Sequence, residues 1–312
     1  MLVVVALGGN ALLRRHEPLD AAHQRANIER AATSVAAVAR AHDVVVTHGN
    51  GPQVGLLALQ SEAADGSAPM PLDVISAETE GMIGYVLEQE LRRALPGAEV
   101  ATVLTQVVVD PDDAAFASPT KPIGPVYSAA DATRLARARG WAFSNDGDDW
   151  RRVVPSPRPS AVVELAAIEA LRAAGIVVIC AGGGGIPVVP APGGGLQGVE
   201  AVVDKDHASA LLARCLGADV LLLLTDVEGA FVDRGSSSEQ VVRRADPASI
   251  RALPFPPGSM GPKVEAAAAF ATRGGIAAIG ALEDAARILR GEAGTTVTAT
   301  ADGLTLVPPR RD

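Results

Sequence analysis

Lysine is nearly missing from this chain of 312 residues: of its 27 Lys and Arg side chains only three are lysines, Lys121, Lys205 and Lys263. Aromatic residues make up 3% of the chain, which removes the stacking platforms that single-stranded nucleic acid needs. A surplus of positive charge is missing too. The formal net charge is -9 and the isoelectric point is near 5.1, so no basic face is available for a phosphate backbone; pairs such as Arg92-Arg93 and Arg243-Arg244 read as scattered solvated faces. Cysteine occurs twice, as Cys180 and Cys215, each in an apolar run and without the spacing of a metal knuckle or a disulfide framework. Both read as core residues, and no metal site is expected. No apolar run approaches the roughly 20 residues of a membrane span, and the apolar start lacks a basic leader. The expectation is a soluble, cytoplasmic protein that engages neither membrane nor nucleic acid.

What is present is an ample supply of core residues, at 48% hydrophobic against 20% charged, and a repeating order. Short apolar runs end in Gly or a polar turn and are followed by Ala-rich stretches with helical spacing, the pattern of a parallel sheet covered by helices. The fold class is therefore α/β. Strands are expected at Val3–Leu7, Val44–Thr47, Val100–Val109, Ile176–Ala181, Val220–Thr225 and Ala277–Gly280, with short tail strands at Thr295–Thr300 and Leu304–Val307. Helices are expected across Ala21–Ala41, from Pro52 onward, and across Leu72–Leu95, Ala161–Ala174, Ala208–Leu216 and Lys263–Thr272. Between Asp110 and Pro159 the rhythm is replaced by a proline-rich segment containing Trp141 and Trp150, read as an inserted flap rather than an ordinary surface loop.

Three glycine-bearing loops follow directly on apolar strands: Gly8-Gly9-Asn10, Gly49-Asn50-Gly51 and Gly182 to Gly185, which includes Gly183 and Gly184. In a parallel sheet such loops emerge together at the carboxyl edge, where ligands bind. Glycine lets backbone approach a phosphate closely, and the helix that follows aims free N–H groups at the anion. A Walker A loop is absent, since no Gly-Lys pair exists, and the formal G-x-G-x-x-G at Gly193–Gly198 follows Pro-Ala-Pro instead of a strand.

The lysines fit this anion chemistry. A chain that uses Arg almost everywhere keeps an ammonium where a compact point charge does what a planar guanidinium would not, such as gripping one phosphate oxygen. A chance remnant on a solvated surface is the alternative for any one of them, but all three lie in segments dense in Gly, Pro or Asp. In Val203-Asp204-Lys205-Asp206-His207, Asp204 reads as a helix cap and Asp206 as the group that orients Lys205 or favours its charge. His207 and His48 read as packed histidines ahead of general bases.

These residues together resemble the carbamate kinase branch of the amino-acid kinase superfamily over nearly the whole chain. The segments are Val5–Asn10, Thr47–Gly55, Leu104–Asp110, Pro119–Pro125, Arg152–Pro157, Gly182–Val188, Gly198–Asp206 and Gly258–Lys263. The Pro-Thr-Lys-Pro-Ile-Gly element is similar to this branch and unlike acetylglutamate, aspartate and uridylate kinases, which carry a lysine where Asn10 stands. The resemblance implies a single three-layer α/β/α domain over 1–312 with a protruding subdomain at 110–159, a homodimer, and reversible phosphoryl transfer between ATP and carbamate to give ADP and carbamoyl phosphate, with Mg²⁺ carried by the nucleotide. On that reading Lys121, Lys205 and Lys263 meet the transferring and β-phosphates, and Asp206 holds the lysines. Gly8, Gly9 and Asn10 take the phosphoryl group, Gly49, Asn50 and Gly51 the carbamate side, and Gly183 and Gly184 the same anion pocket. Thr225, Asp226, Met260 and Pro262 line the nucleotide. Two departures from the family pattern fall there: Asp226-Val227-Glu228 replaces a usual Gly-aromatic sequence, and Gly261 stands where a larger residue is common and is expected to loosen the nucleotide wall. Another acyl-phosphate-forming kinase of the superfamily, or a nucleotide-binding sensor without turnover, remains an alternative.

Overall fold

A computed structural model describes residues 1–12, 17–18, 20–63, 69–147, 149–256 and 258–310. Its centre is a sheet in which six parallel strands lie in the order Val100–Thr102, Val177–Ile179, Asp43–His48, Leu2–Leu7, Val220–Thr225 and Ile276–Ala281. The sheet continues through Thr295–Val297, antiparallel to Ile276–Ala281, to Gln240–Ala245, which also pairs with Phe231–Val232 and Leu304–Val307.

The middle strands are apolar at nearly every position because both of their faces are covered. Along Leu2–Leu7, alternate residues point to opposite layers. Val3, Val5 and Leu7 meet Ile28 and Val35 of helix Ala21–Ala39 and Ile83, Leu87 and Leu91 of helix Leu72–Ala94. Leu2, Val4 and Ala6 share the other core with Leu212 of helix Lys205–Cys215, Phe270 of helix Met260–Ala271 and Ile168 of helix Leu165–Ala173. The architecture is thus a three-layer α/β/α sandwich. No helix among the described residues is long and apolar enough to cross a membrane.

Several expected elements differ: the helices placed from Ala208 and Lys263 begin three residues earlier, at Lys205 and Met260, and the tail strand from Thr295 ends at Val297. The run 100–109 is not one strand: Val100–Thr102 forms an edge of the main sheet, while Gln106–Val109 belongs to a second, four-stranded sheet with Pro159–Val162, Ile186–Pro190 and Leu196–Gly198. The break falls at buried Thr105, whose hydroxyl donates to the Val103 carbonyl and accepts from the Ala181 N–H at 2.9 Å. These bonds turn the chain from one sheet into the other. The expected helix from Ala161 starts four residues later, at Leu165, because Val162 and Ala161 pair with Val107 and Val108. Within 110–159, Lys121–Tyr127, Ala142–Asp146 and Asp149–Val154 form a third sheet of their own, with helix Ala129–Arg139 beside it. Arg152 stacks on the Trp141 ring at 3.9 Å and pairs with Glu62 at 3.5 Å, joining this unit to helix Gly51–Ala63.

Candidate active site

Four adjacent parallel strands, Val177–Ile179, Asp43–His48, Leu2–Leu7 and Val220–Thr225, deliver Gly182–Gly184, Gly49–Gly51, Gly8–Gly9 and Thr225–Asp226 side by side at one edge of the sheet. The loops nest backbone to backbone. A Cβ on Gly49 would lie 2.9 Å from the Gly9 nitrogen, and one on Gly8 the same distance from the Leu224 carbonyl oxygen, so neither position has room for a side chain. Asn50 is buried against Gly183 and donates to Thr79 Oγ1 at 2.8 Å, so its side chain ties its loop to helix Leu72–Ala94 while packing on the Gly182–Gly184 turn. Asn10 lies in the short helix Gly9–Leu12; its side chain falls outside the described set.

Against this edge stands the start of helix Lys205–Cys215, packed on helix Met260–Ala271. The helix begins there because Asp204 Oδ1 accepts the Asp206 N–H at 2.9 Å, a side-chain N-cap. Asp206, buried in the first turn of the helix, binds two ammonium groups: Lys205 Nζ at 2.6 Å through Oδ1 and Lys263 Nζ at 3.2 Å through Oδ2. Lys121 reaches over from the three-stranded sheet and pairs with Asp204 Oδ2. All three lysines, distant in sequence, therefore converge on two aspartates separated by one residue. Three ammonium groups face two carboxylates, an arrangement that leaves one positive charge for an anion.

The titration states follow from burial and these pairings. Burial pushes Asp206 up, but Lys205 and Lys263 beside it overrule that and hold it below the usual carboxylate range. Asp204 is held low in the same way, chiefly by Lys121. Burial lowers Lys205 despite its Asp206 partner, whereas for Lys263 the Asp206 carboxylate overrides burial and raises it. The 2.6 Å contact with Asp206 can use only one of the three donors of the buried Lys205 ammonium, so the others remain unspent.

Beneath the glycine loops lie two buried titratable groups: Glu80, which sequence reasoning missed, and His48, which it read as packed. Glu80, buried in helix Leu72–Ala94, accepts the Gly182 N–H at 2.7 Å and the Thr105 N–H at 3.1 Å, and burial raises it to about 8. His48 is wholly buried and burial lowers it to about 4; its Nδ1 faces the Gly49 carbonyl. His207 is likewise lowered by burial. Folded Glu80 keeps a proton up to about pH 8 that the unfolded chain loses near 4.5, so stability must fall as pH rises through that window. Buried neutral His48 opposes this slope below pH 6.5 and drops out above it. Between pH 6.5 and 8 unfolding free energy should fall by about 2 kcal/mol on account of Glu80. Glu80→Gln should lose that slope; urea unfolding at the two pH values measures it, and an unchanged slope in the variant refutes the assignment.

Of the residues expected to line a nucleotide, Thr225 is buried and its hydroxyl donates to Asp226 Oδ1 at 3.0 Å. Met260 and Pro262 open the helix that bears Lys263. Gly261 does not loosen the wall as expected: a Cβ there would lie 2.9 Å from the Pro256 carbonyl oxygen, which already accepts the Gly261 N–H. The turn lies directly on the helix start, and only glycine lets it close. In the loop after Thr225, where the sequence departs from the family pattern, Gly229 is packed just as tightly, 2.8 Å from Thr295 Oγ1 for an added Cβ.

Other features could not be read from single positions. Asp204 has a second task beyond capping. Gly55 of helix Gly51–Ala63 touches Gly124 of strand Lys121–Tyr127 so closely that an added Cβ would land on the Gly124 backbone. Glu80 carries no local signal except its place among the apolar positions of a helix.

The sequence profile of the amino acid kinase family matches residues 1–279. Carbamate kinase from Rhizobium meliloti is 52% identical over 309 residues, spanning 98% of this chain and 95% of the relative. Carbamate kinase from Haemophilus influenzae is 50% identical, spanning 97% of this chain and 99% of its own length. Among solved structures, carbamate kinase from Giardia lamblia bound to AMP-PNP aligns with a TM-score of 0.86 at 41% identity, over 95% of this chain and 98% of that one. The chain belongs to the amino acid kinase family, and within it to the carbamate kinases.

Proposed function

We propose that the chain catalyses the reversible reaction of ATP with carbamate to give ADP and carbamoyl phosphate, running toward ATP in the cell. The observation that carries this reading is the convergence of the Lys121, Lys205 and Lys263 ammonium groups on Asp204 and Asp206 at the glycine-lined edge of the sheet. A carbamate oxygen attacks the γ-phosphorus, the bond to the β,γ-bridging oxygen breaks, and ADP departs with that electron pair. Carbamate is already an anion, so no proton has to be moved. The protein's work is in-line positioning and neutralisation of charge on the phosphoryl oxygens. Lys205 and Lys263 stand on the main body and Lys121 on the three-stranded unit, which acts as a flap of the single domain. Gly8, Gly9 and Asn10 cradle the phosphoryl group, Gly49–Gly51 the carbamate, with Gly183 and Gly184 closing the pocket and Thr225, Asp226, Met260 and Pro262 toward the nucleotide.

Mg²⁺ enters as part of the nucleotide substrate. The two aspartates at the site are occupied by ammonium groups, and among the described residues no cluster of three carboxylate, imidazole or thiol side chains could seat a resident metal. The enzyme works in the cytoplasm as a homodimer. Support for a second copy comes from exposed Tyr85 and Leu104, which flank a groove of about 500 Å³ beside the edge strand Val100–Thr102.

Purified protein given ADP, Mg²⁺ and carbamoyl phosphate should form ATP, read by a luciferase endpoint, and should sediment at twice the 31.7 kDa chain mass. Absence of ATP formation between pH 6 and 9, or phosphorylation of acetylglutamate or aspartate in place of carbamate, would refute the assignment.

A further inference from the structure

Asp204 divides its carboxylate between two tasks. Its Oδ1 is fixed by the helix cap, through the Asp206 N–H at 2.9 Å and the His207 N–H at 3.4 Å. With that oxygen fixed, Oδ2 has one direction left, and it meets Lys121 Nζ, delivered from a different sheet 83 residues away. The carboxylate is largely buried, so little water competes with the pair. Asp206 does the same for the two lysines of the main body. The two aspartates flank Lys205 in sequence and share one helix start, which makes that helix the common reference for every ammonium in the cluster.

We propose that Asp204 is a positioning residue for phosphoryl transfer: it seats the Lys121 ammonium beside Lys205 and Lys263, so that the flap lysine is already in place when the phosphoryl group arrives. The inference rests on the phosphoryl-transfer reading above. Asp204 touches no reacting atom; it acts through Lys121. As the anion enters, its oxygens take up Lys121 donors that Asp204 leaves unused, so that ammonium need not be reorganised at the moment of transfer.

A structural role in capping and a positioning role separate in Asp204→Asn, because Asn caps a helix about as well as Asp while lacking the charge that seats an ammonium. Expected for Asp204→Asn is a melting temperature within about 4 °C of wild type and a kcat about 10- to 100-fold lower, with the KM for ADP little changed. Asp204→Ser, which also keeps a capping oxygen, serves the same test if the Asn variant does not fold. In a Lys121→Met background the second substitution should reduce kcat no further, since the group it positions is gone. Full multiplication of the two losses, or wild-type kcat in Asp204→Asn, overturns the proposal. Wild-type ATP formation from carbamoyl phosphate is the control: its absence removes the reaction and this inference together, whereas wild-type turnover with an unimpaired Asp204→Asn variant removes only the role of Asp204.

Discussion

Asp206→Asn is expected to cost about 10² to 10³ in kcat and about 3–5 kcal/mol of stability. Among the described residues Asp206 is the one carboxylate that forms ion pairs with both Lys205 and Lys263, and all three groups are mostly buried. An amide in its place keeps the shape but leaves two neighbouring ammonium groups facing one another without a counter-ion. Breaking a buried pair by removing one partner is far costlier than never having built it, because the remaining charge stays desolvated. The pH response should change as well. Lys205 already lies below the usual lysine range through burial, and Lys263 lies above it because Asp206 overrides its burial. Without the carboxylate both fall, so residual turnover of the variant should decline as pH rises from 6 to 9. Initial rates across that range, with urea unfolding at pH 7, test both parts. Wild-type kcat in a stably folded Asp206→Asn enzyme would show that the lysines do not depend on it.

Gly55→Ala should produce the second large loss, although Gly55 lies in the first part of a helix and carries no functional group. The added methyl would meet the Gly124 Cα and nitrogen far inside van der Waals contact, and backbone cannot rotate away as a side chain can. Gly124 holds φ +71, a conformation that L side chains rarely adopt, so the contact cannot be relieved by exchanging sides. Strand Lys121–Tyr127 must therefore move off the helix, and Lys121 moves with it. A displacement near 1 Å at a positioned group is worth about 10² in rate, and overpacking of this kind costs about 1–3 kcal/mol. The expected signature is a kcat loss much larger than the stability loss. Unchanged kcat and melting temperature would mean that the helix and the flap strand are not held in register by this contact.

Much of the fold was legible because its causes are local. Two-sided burial leaves a continuous apolar run such as Val220–Thr225, and glycine at the end of Leu2–Leu7 and Asp43–His48 announces a close turn. Parallel strands all end at one edge, so a shared edge for the three glycine loops was readable from the sequence, whereas the adjacency of their strands was set by the sheet order. The lysines were legible through their rarity. What was not legible depended on distant partners. The run 100–109 is apolar enough for one strand, and only the bonds of Thr105 to Val103 and Ala181 show that it serves two sheets. Gly261 looked like a gap in a wall because its neighbour, the Pro256 carbonyl, is brought against it by the turn. Glu80 looked like any mid-helix glutamate, since its partners Thr105 and Gly182 lie 25 and 102 residues away.

By itself, then, the sequence determined a parallel sheet covered by helices, the shared sheet edge at which the glycine loops emerge, and the three lysines set in segments dense in Gly, Pro or Asp. Periodicity, burial and residue chemistry act over a few neighbours and need no knowledge of the rest of the chain. Tertiary structure alone decided that the lysines divide between two carboxylates: Asp206, expected to hold all three, takes Lys205 and Lys263, while Lys121 from another sheet goes to Asp204. Such pairings form only when packed backbones, here Gly55 on Gly124 and helix Lys205–Cys215 on helix Met260–Ala271, bring buried charges within a few ångströms of each other.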